Sequence, residues 1–178
     1  MKIIVTDLNK CEGCHSCELA CAISRSASKN LFGSILETPR PATRVQVIAV
    51  SGHAVPLQCQ HCEDAPCASV CPTKALSRPG ANQPVLFERA LCIGCSSCTL
   101  ACPFGVIRRT DGGIMAKCNL CWDRLAEGKQ PACVDACPTH ARKLTEANAV
   151  ANDKLQKTAA AAIAATETRE GRTGDRVF

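Results

Sequence analysis

Cys92-Ile-Gly-Cys95-Ser-Ser-Cys98-Thr-Leu-Ala-Cys102-Pro103 is the stretch on which the reading of this chain turns. Three cysteines two residues apart, a fourth three residues on and a closing proline form the spacing by which thiolates hold a cubane iron–sulfur cluster. The step recurs along the chain. Cys11, Cys14, Cys17 and Cys21 repeat the C-x₂-C-x₂-C-x₃-C spacing; Cys59, Cys62, Cys67 and Cys71 widen one interval (C-x₂-C-x₄-C-x₃-C). Cys118, Cys121, Cys133 and Cys137 widen it further (C-x₂-C-x₁₁-C-x₃-C), and the four groups together use all 16 cysteines. Cys-Pro-Thr-Lys-Ala (71–75), Cys-Pro-Phe-Gly-Val (102–106) and Cys-Pro-Thr-His-Ala (137–141) are three copies of one junction. Pro72, Pro103 and Pro138 end regular pairing immediately after the last cysteine, because proline has no N–H to give. The spacing predicts four [4Fe–4S] clusters with no ligand left over. So many redox centres in a short chain suit it to conducting electrons.

At 178 residues the chain is one compact unit or two closely joined halves. Four Phe, one Trp and no Tyr are thin material for an ordinary core. Inorganic clusters would supply the missing interior, which links folding to cluster binding. The formal charge of +5 does not describe the loaded protein. Four oxidised cubanes with their thiolates bring roughly −8, leaving about −3. Arg108, Arg109, Arg142 and Lys143 are scattered in sequence without an aromatic stacking set, so nothing favours nucleic acid as a partner.

The segment Met1-Lys2-Ile3-Ile4-Val5-Thr6-Asp7 runs straight into the first cysteine loop, without the charged region, apolar core and cleavage site of a leader. The apolar run from Ala159 to Ala165 is too short to span a bilayer. The expectation is a protein with no direct membrane span, in a reducing cytoplasm. Ile3 to Thr6, Arg44 to Val50, Val85 to Phe87 and Val106 to Arg109 read as strands, with Asp111-Gly112-Gly113 turning the backbone ahead of Ile114 to Lys117. Cys17 to Ser26 and Cys67 to Cys71 read as short helices, and Glu146 to Thr166 as a longer one. Residues 22–43 read as an irregular insertion, and residues 167–178 as a polar tail or docking arm.

In two-cluster proteins of this kind the fourth cysteine of each run ligates the other cluster. Only residues 72–91 separate the second and third groups, a compact spacing; residues 22–58 separate the first and second. Pairing two with three leaves one and four to pair around the outside. One outer cluster then takes Cys11, Cys14, Cys17 and Cys137, and its mate takes Cys118, Cys121, Cys133 and Cys21. The inner pair takes Cys59, Cys62, Cys67 with Cys102, and Cys92, Cys95, Cys98 with Cys71. The path through all four has one outer cluster at each end or both near one flank.

Zinc sites combine two separated C-x₂-C or C-x₂-H pairs, whereas here three cysteines crowd each loop; the fourth group fits zinc best when read alone. A disulfide framework belongs to small secreted domains. His15, His61 and His140 lie beside ligands already complete, and are expected as ordinary loop or surface histidines. Gly13 and Gly94 let the backbone approach cluster sulfur. Glu63 and Asp64 read as a solvated turn, and Trp122 and Phe104 as covers for clusters. No nucleotide fingerprint or Ser/His/Asp set is present, so catalytic residues are not expected and the chain is not itself an enzyme.

Cys11-Glu-Gly-Cys-His-Ser-Cys-Glu-Leu-Ala-Cys21, Cys59-Gln-His-Cys-Glu-Asp-Ala-Pro-Cys-Ala-Ser-Val-Cys-Pro72, the third run quoted above and Cys118-Asn-Leu-Cys121 together resemble the four-cluster iron–sulfur subunits of the dimethyl-sulfoxide-reductase and formate-dehydrogenase type. The resemblance covers residues 1–145 and extends to the small subunit of tungsten aldehyde oxidoreductases. It implies an α+β fold of two ferredoxin-like units with pseudo-twofold repeats, each binding two cubane clusters. Residues 1–52 with 104–145 would form the outer unit, 53–103 the inner unit, and 146–178 a C-terminal helix and tail. It implies an electron-transfer subunit of an anaerobic oxidoreductase complex, with a large catalytic partner holding molybdenum, tungsten, nickel or flavin; overall resemblance leans to a tungsten aldehyde oxidoreductase. The alternatives are a free polyferredoxin carrier and a metalloenzyme maturation protein. A wire exposed at both ends could also stack end to end with its own copies.

Overall fold

Short pairings and left-handed turns, more than long elements, shape the computed structural model, which describes residues 1–170 and side chains through residue 166. Strand β1 (Lys2–Thr6) leads through a 3₁₀ turn (Leu8–Lys10) into the first cysteine loop, which helix α1 (Ser16–Arg25) closes. After α2 (Leu31–Leu36), strands β2 (Val45–Val50) and β3 (His53–Gln58) form a hairpin that delivers the second loop, closed by α3 (Pro66–Ser69). Strands β4 (Leu76–Ser77) and β5 (Leu86–Phe87) pass through a second 3₁₀ turn (Arg89–Leu91) to the third loop and α4 (Ser97–Ala101). Then come β6 (Arg108–Arg109), β7 (Met115–Ala116), α5 (Trp122–Ala126), α6 (Ala132–Asp135), β8 (Arg142–Glu146) and α7 (Ala147–Glu170).

The strands pair as four two-stranded sheets, β1 with β8, β2 with β3, β4 with β5 and β6 with β7. In the β2–β3 hairpin Val45 faces Gln58 and Val50 faces His53. Its turn places Ser51 at φ 49° and Gly52 at φ 79°, the pair of positive angles that matches the twist of a tight hairpin. Pro56 sits opposite Val47; proline is tolerated there because a two-stranded sheet consists of edges. Sequence reading missed β3 for that reason. It also missed α2, which interrupts the expected irregular stretch 22–43 and is capped by Asn30 Oδ1 accepting from Gly33 N at 2.7 Å. The strand expected over Val106 to Arg109 shrinks to two residues, and the expected helix after 146 extends to Glu170. Part of the expected polar tail, residues 171–178, lies outside the described residues.

Residues 1–144 form one compact unit and the segment from Thr145 a second. The first holds two apolar clusters. One gathers Ala65, Leu76, Val85, Ile107 and Met115 around Cys67 and Cys98; the other gathers Ile4, Val45 and Leu120 around Cys17, Cys21 and Cys133. Cysteine is therefore part of both cores. The second unit is largely α7, alanine-rich and suited to a helix by propensity, with residues 151–166 all exposed. Among the described residues no helix is long and apolar enough to cross a membrane.

Candidate metal centres

The four cysteine loops fall into two structural pairs. In the first loop Gly13 (φ 65°) and His15 (φ 58°) are left-handed; in the third, Gly94 (φ 70°) and Ser96 (φ 65°) are so in the same places. Each loop is entered from a 3₁₀ turn capped by a carboxylate, Asp7 accepting from Asn9 N at 3.1 Å and Glu88 from Ala90 N at 3.2 Å. Each has a serine hydroxyl beside its second cysteine, Ser16 Oγ 3.4 Å from Cys14 Sγ and Ser97 Oγ 3.5 Å from Cys95 Sγ. The second and fourth loops match likewise: Thr73 Oγ1 and Thr139 Oγ1 both lie 3.8 Å from the sulfurs of Cys71 and Cys137. Asp7 N donates to Ala141 O and Glu88 N to Ala75 O, both at 2.8 Å, so the same bond ties the approach to the first loop to the exit of the fourth, and the approach to the third to the exit of the second.

These turns leave no room for side chains at the glycines. A Cβ on Gly94 would stand 2.5 Å from Gly113 O, and one on Gly13 would stand 2.9 Å from Ala54 Cβ. The Gly94→Ala protein should therefore lose about 1–2 kcal/mol from the left-handed backbone alone, before the backbone clash is counted. Denaturation of the iron-loaded protein, with the iron count, checks this; unchanged stability and full iron would contradict the close approach.

Two small cavities lie in the first unit. Cys71, Cys92, Cys95 and Cys98 border one, with Leu76, Phe87 and Met115; Cys59, Cys62, Cys67 and Cys102 border the other, with Val85, Phe104 and Ile107. Each cavity thus joins three cysteines of one loop to the closing cysteine of another. In the remaining groups a thiolate at Cys14 is repelled by Cys137, and one at Cys133 by Cys21 and Cys121. Cys118 is repelled by Cys21, by Cys59 and by Cys133.

The sulfurs surround spaces and do not meet at points. Among the described residues no three of His, Cys, Asp or Glu converge closely enough to share one metal ion. Four soft thiolate donors around an apolar space fit a [4Fe–4S] cubane. Backbone N–H groups are already aimed at sulfur, from His61 to Cys59 at 3.3 Å, Leu120 to Cys118 at 3.4 Å and Arg44 to Cys21 at 3.3 Å; such donors favour the thiolate and tune the metal. Burial pushes the Cys118 thiol up to about 12 and the Cys133 thiol to about 11. A coordinating metal makes such sulfurs thiolates near neutrality, since a coordinating thiol is deprotonated outright. Cys14 and Cys95 are exposed, and the adjacent hydroxyls of Ser16 and Ser97 lower their pKa.

Of the other residues singled out in the sequence, Glu63 and Asp64 are exposed, and Phe104 borders the Cys59 cavity. His15 is at the surface, paired with Glu18 at 2.7 Å. His61 departs from expectation: it stands in a loop but is 1% exposed, its Nδ1 accepting from Val85 N at 3.1 Å. Burial, then the nearby cations Lys117 and Arg78, depress its pKa to about 3, so it is neutral. Arg78 donates through Nη2 to the carbonyl oxygens of His61 and Cys62, fastening that loop. Sequence reading missed Lys117, wholly buried with Nζ donating to Val85 O (2.7 Å) and Cys118 O (2.9 Å). It counted Arg142 only among basic residues scattered in sequence, whereas Arg142 is buried beside Cys133. The paired Ser16 and Ser97 were legible, since both stand two positions after the second cysteine of their runs.

Residues 50–147 match a family described as the 4Fe–4S dicluster domain. The electron transport protein HydN of Escherichia coli (strain K12) is 40% identical over 156 residues, covering 79% of this chain and 85% of that protein. The thiosulfate reductase electron transfer subunit PhsB of Salmonella typhi is 39% identical over 143 residues, covering 79% and 73%. One subunit of the anaerobic dimethyl sulfoxide reductase of Escherichia coli (strain K12) is 36% identical over 141 residues, covering 76% and 68%.

Proposed function

Because the protein belongs to the 4Fe–4S dicluster-domain family, we propose that its sixteen cysteines form one defined path for electrons between two exposed ends. The chain is an electron-transfer subunit of oxidoreductases and not their catalytic subunit, and its cysteines fit four [4Fe–4S] clusters. When bound, each cluster supplies one-electron chemistry without bond rearrangement in the protein.

The proposed ligand sets are the nested ones: Cys11, Cys14, Cys17 with Cys137; Cys118, Cys121, Cys133 with Cys21; Cys59, Cys62, Cys67 with Cys102; Cys92, Cys95, Cys98 with Cys71. The carrying observation is that each inner set, crossing between loops, borders one cavity. The matched turns, caps and hydroxyls of loops one and three, and of two and four, support two ferredoxin-like units related by a pseudo-twofold. Because Ile107 and Met115 pack with the inner core, the hairpin over 104–116 is assigned to the inner unit, and the outer one comprises the N-terminal region with the fourth group.

The repulsion between Cys118 and Cys59 supports placing their two sets side by side. The sets of Cys11 and Cys92 are then terminal, and each carries one exposed cysteine, Cys14 or Cys95. At the ends, exposure lets a partner's centre approach; in the middle none of the cysteines is exposed, and apolar side chains line the Cys59 set. Catalytic partners of molybdenum, tungsten, nickel or flavin type, the tungsten aldehyde oxidoreductase among them, are distinguished by metal and flavin analysis of the co-purified complex. Two exposed ends also support end-to-end self-association, which sedimentation of the complex tests.

Iron and acid-labile sulfide should each reach about sixteen per chain, with interacting EPR signals after dithionite reduction. Four zinc and no sulfide would sink the proposal. Docking is assigned to the exposed C-terminal helix α7. Deleting residues 146–178 should leave the iron count intact and weaken complex formation at least tenfold, about 1.4 kcal/mol. Pull-down with the catalytic subunit measures it, and undiminished binding would remove docking from this segment.

A further inference from the structure

Arg142 is 2% exposed. Its Nη2 donates to Gln58 Oε1 at 2.9 Å and lies 3.7 Å from Cys133 Sγ. Gln58 is itself buried, and its Nε2 donates to Ile4 O at 3.1 Å, which fixes the amide that receives the guanidinium. Two further donors of Arg142, Nε and Nη1, are buried with no hydrogen-bond partner in the protein. An arginine does not shed its charge in a protein, and a buried cation without an opposite charge costs several kcal/mol. Neither of its hydrogen-bond partners is a carboxylate. The groups whose negative form it favours are the sulfurs of Cys17 and Cys133, one from each set of the outer unit.

The pseudo-twofold provides a comparison within the chain. Counting on from the closing cysteine, Cys137, Thr139, Ala141 and Arg142 correspond to Cys71, Thr73, Ala75 and Leu76. The threonine contacts and the Asp7–Ala141 and Glu88–Ala75 bonds are the same at both places, and Leu76 is also 2% exposed. One backbone position therefore holds a buried leucine in one half and a buried cation in the other. Lys117, the other buried cation, spends its ammonium on two carbonyl oxygens, and the sulfur it favours is Cys67 of the inner unit.

We infer that Arg142 raises the reduction potential of the two centres held by Cys11/Cys14/Cys17/Cys137 and Cys118/Cys121/Cys133/Cys21, by setting a permanent buried charge beside their sulfurs. The inference rests on the ligand sets proposed above. Each centre gains one electron from the external reductant, passing from [4Fe–4S]²⁺ to [4Fe–4S]⁺, and no proton or protein bond moves. A fixed cation in a dry interior favours the more negative, reduced form. Arg142 is thus a positioning and tuning residue.

The test is an anaerobic EPR-monitored redox titration of the iron-loaded protein in Arg142→Leu, which copies the counterpart residue, with Arg142→Gln and Arg142→Lys beside it. The two neutral variants should make reduction of two centres at least tenfold less favourable, about 59 mV for a one-electron couple, and leave the other two unmoved. Arg142→Lys should stay within about threefold of wild type. Four unmoved centres at full iron, or an equal shift of all four, would overturn the inference. If both neutral variants lose iron, wild-type protein labelled with ¹⁵N-arginine decides. Pulsed EPR should then find a ¹⁵N coupling to a reduced centre that vanishes in Arg142→Lys, and a coupling that is absent or persists there overturns the idea. Failure of the ligand reading itself looks different, because the EPR spectrum of Cys21→Ser would then match that of Cys14→Ser and not that of Cys118→Ser.

Discussion

Stripped of iron by a chelator under reducing conditions, the protein should lose its cooperative unfolding transition and its protection against proteolysis across residues 1–144. The reason lies in what the core is made of. Among the described residues, seven of the nineteen buried hydrophobic residues are cysteines and five are alanines. That leaves Ile4, Val45, Leu76, Val85, Ile107, Met115 and Leu120 as the large buried aliphatic side chains, divided between two clusters. Neither is a core that would fold alone at this size. The strands that could hold the loops are two residues long in β4, β5, β6 and β7, and isolated two-stranded pairings are marginal in water. Thiolate–iron bonds therefore contribute folding free energy directly. Far-UV circular dichroism and limited proteolysis of the apo-protein measure the loss. A sharp, native-like melt without iron would show that the polypeptide carries its own stability.

What could be read from the sequence follows from the same composition. Cysteine spacing is a covalent-scale constraint, so the loops, their closing helices and the Cys-Pro junctions were legible at once. The nested sets could be written down because only one pairing keeps the second and third groups together without stranding the others. Less legible was whatever depends on a residue's partner. Pro56 breaks the pattern of a strand in sequence, and is accommodated because β2 is the only neighbour of β3 in its sheet. Asn30, which starts α2, looked like one more polar residue in a loop. His15, Ser96, Leu120 and Cys121 take left-handed backbone without being glycine, a cost that local propensity advises against and that the tight loop imposes. Lys117 and Arg142 were least visible, because charged residues are expected outside. Nothing in one dimension distinguishes a surface arginine from one lodged against sulfur. Violations of that kind gather where chemistry is done.

Replacing Cys21 by Ser should damage the centre of Cys118, Cys121 and Cys133, and leave that of Cys11, Cys14 and Cys17 in place, although Cys21 stands only four residues from Cys17. The sulfur of Cys21 is buried, receives the Arg44 N–H at 3.3 Å, and is one of the charges felt by both Cys118 and Cys133. Cys14, by contrast, is set against Cys137. Helix α1 explains the separation: it carries Cys17 and Cys21 a little over one turn apart along its axis, enough to serve two different centres. The variant should lose about a quarter of its iron, or convert one centre to a three-iron form, since a serine alkoxide replaces a soft ligand with a hard one. Its EPR spectrum should match that of Cys118→Ser and differ from that of Cys14→Ser. The reverse match would mean that each loop holds its own closing cysteine. The two halves of the outer unit would then no longer be joined through iron, and the crossed cysteines would not explain why a chain so poor in apolar residues folds. With the match as expected, each cluster ties together two loops distant in sequence. The ligand that completes a centre is then also the bond that closes the fold, and loss of one sulfur should be felt first in the loop that did not contribute it.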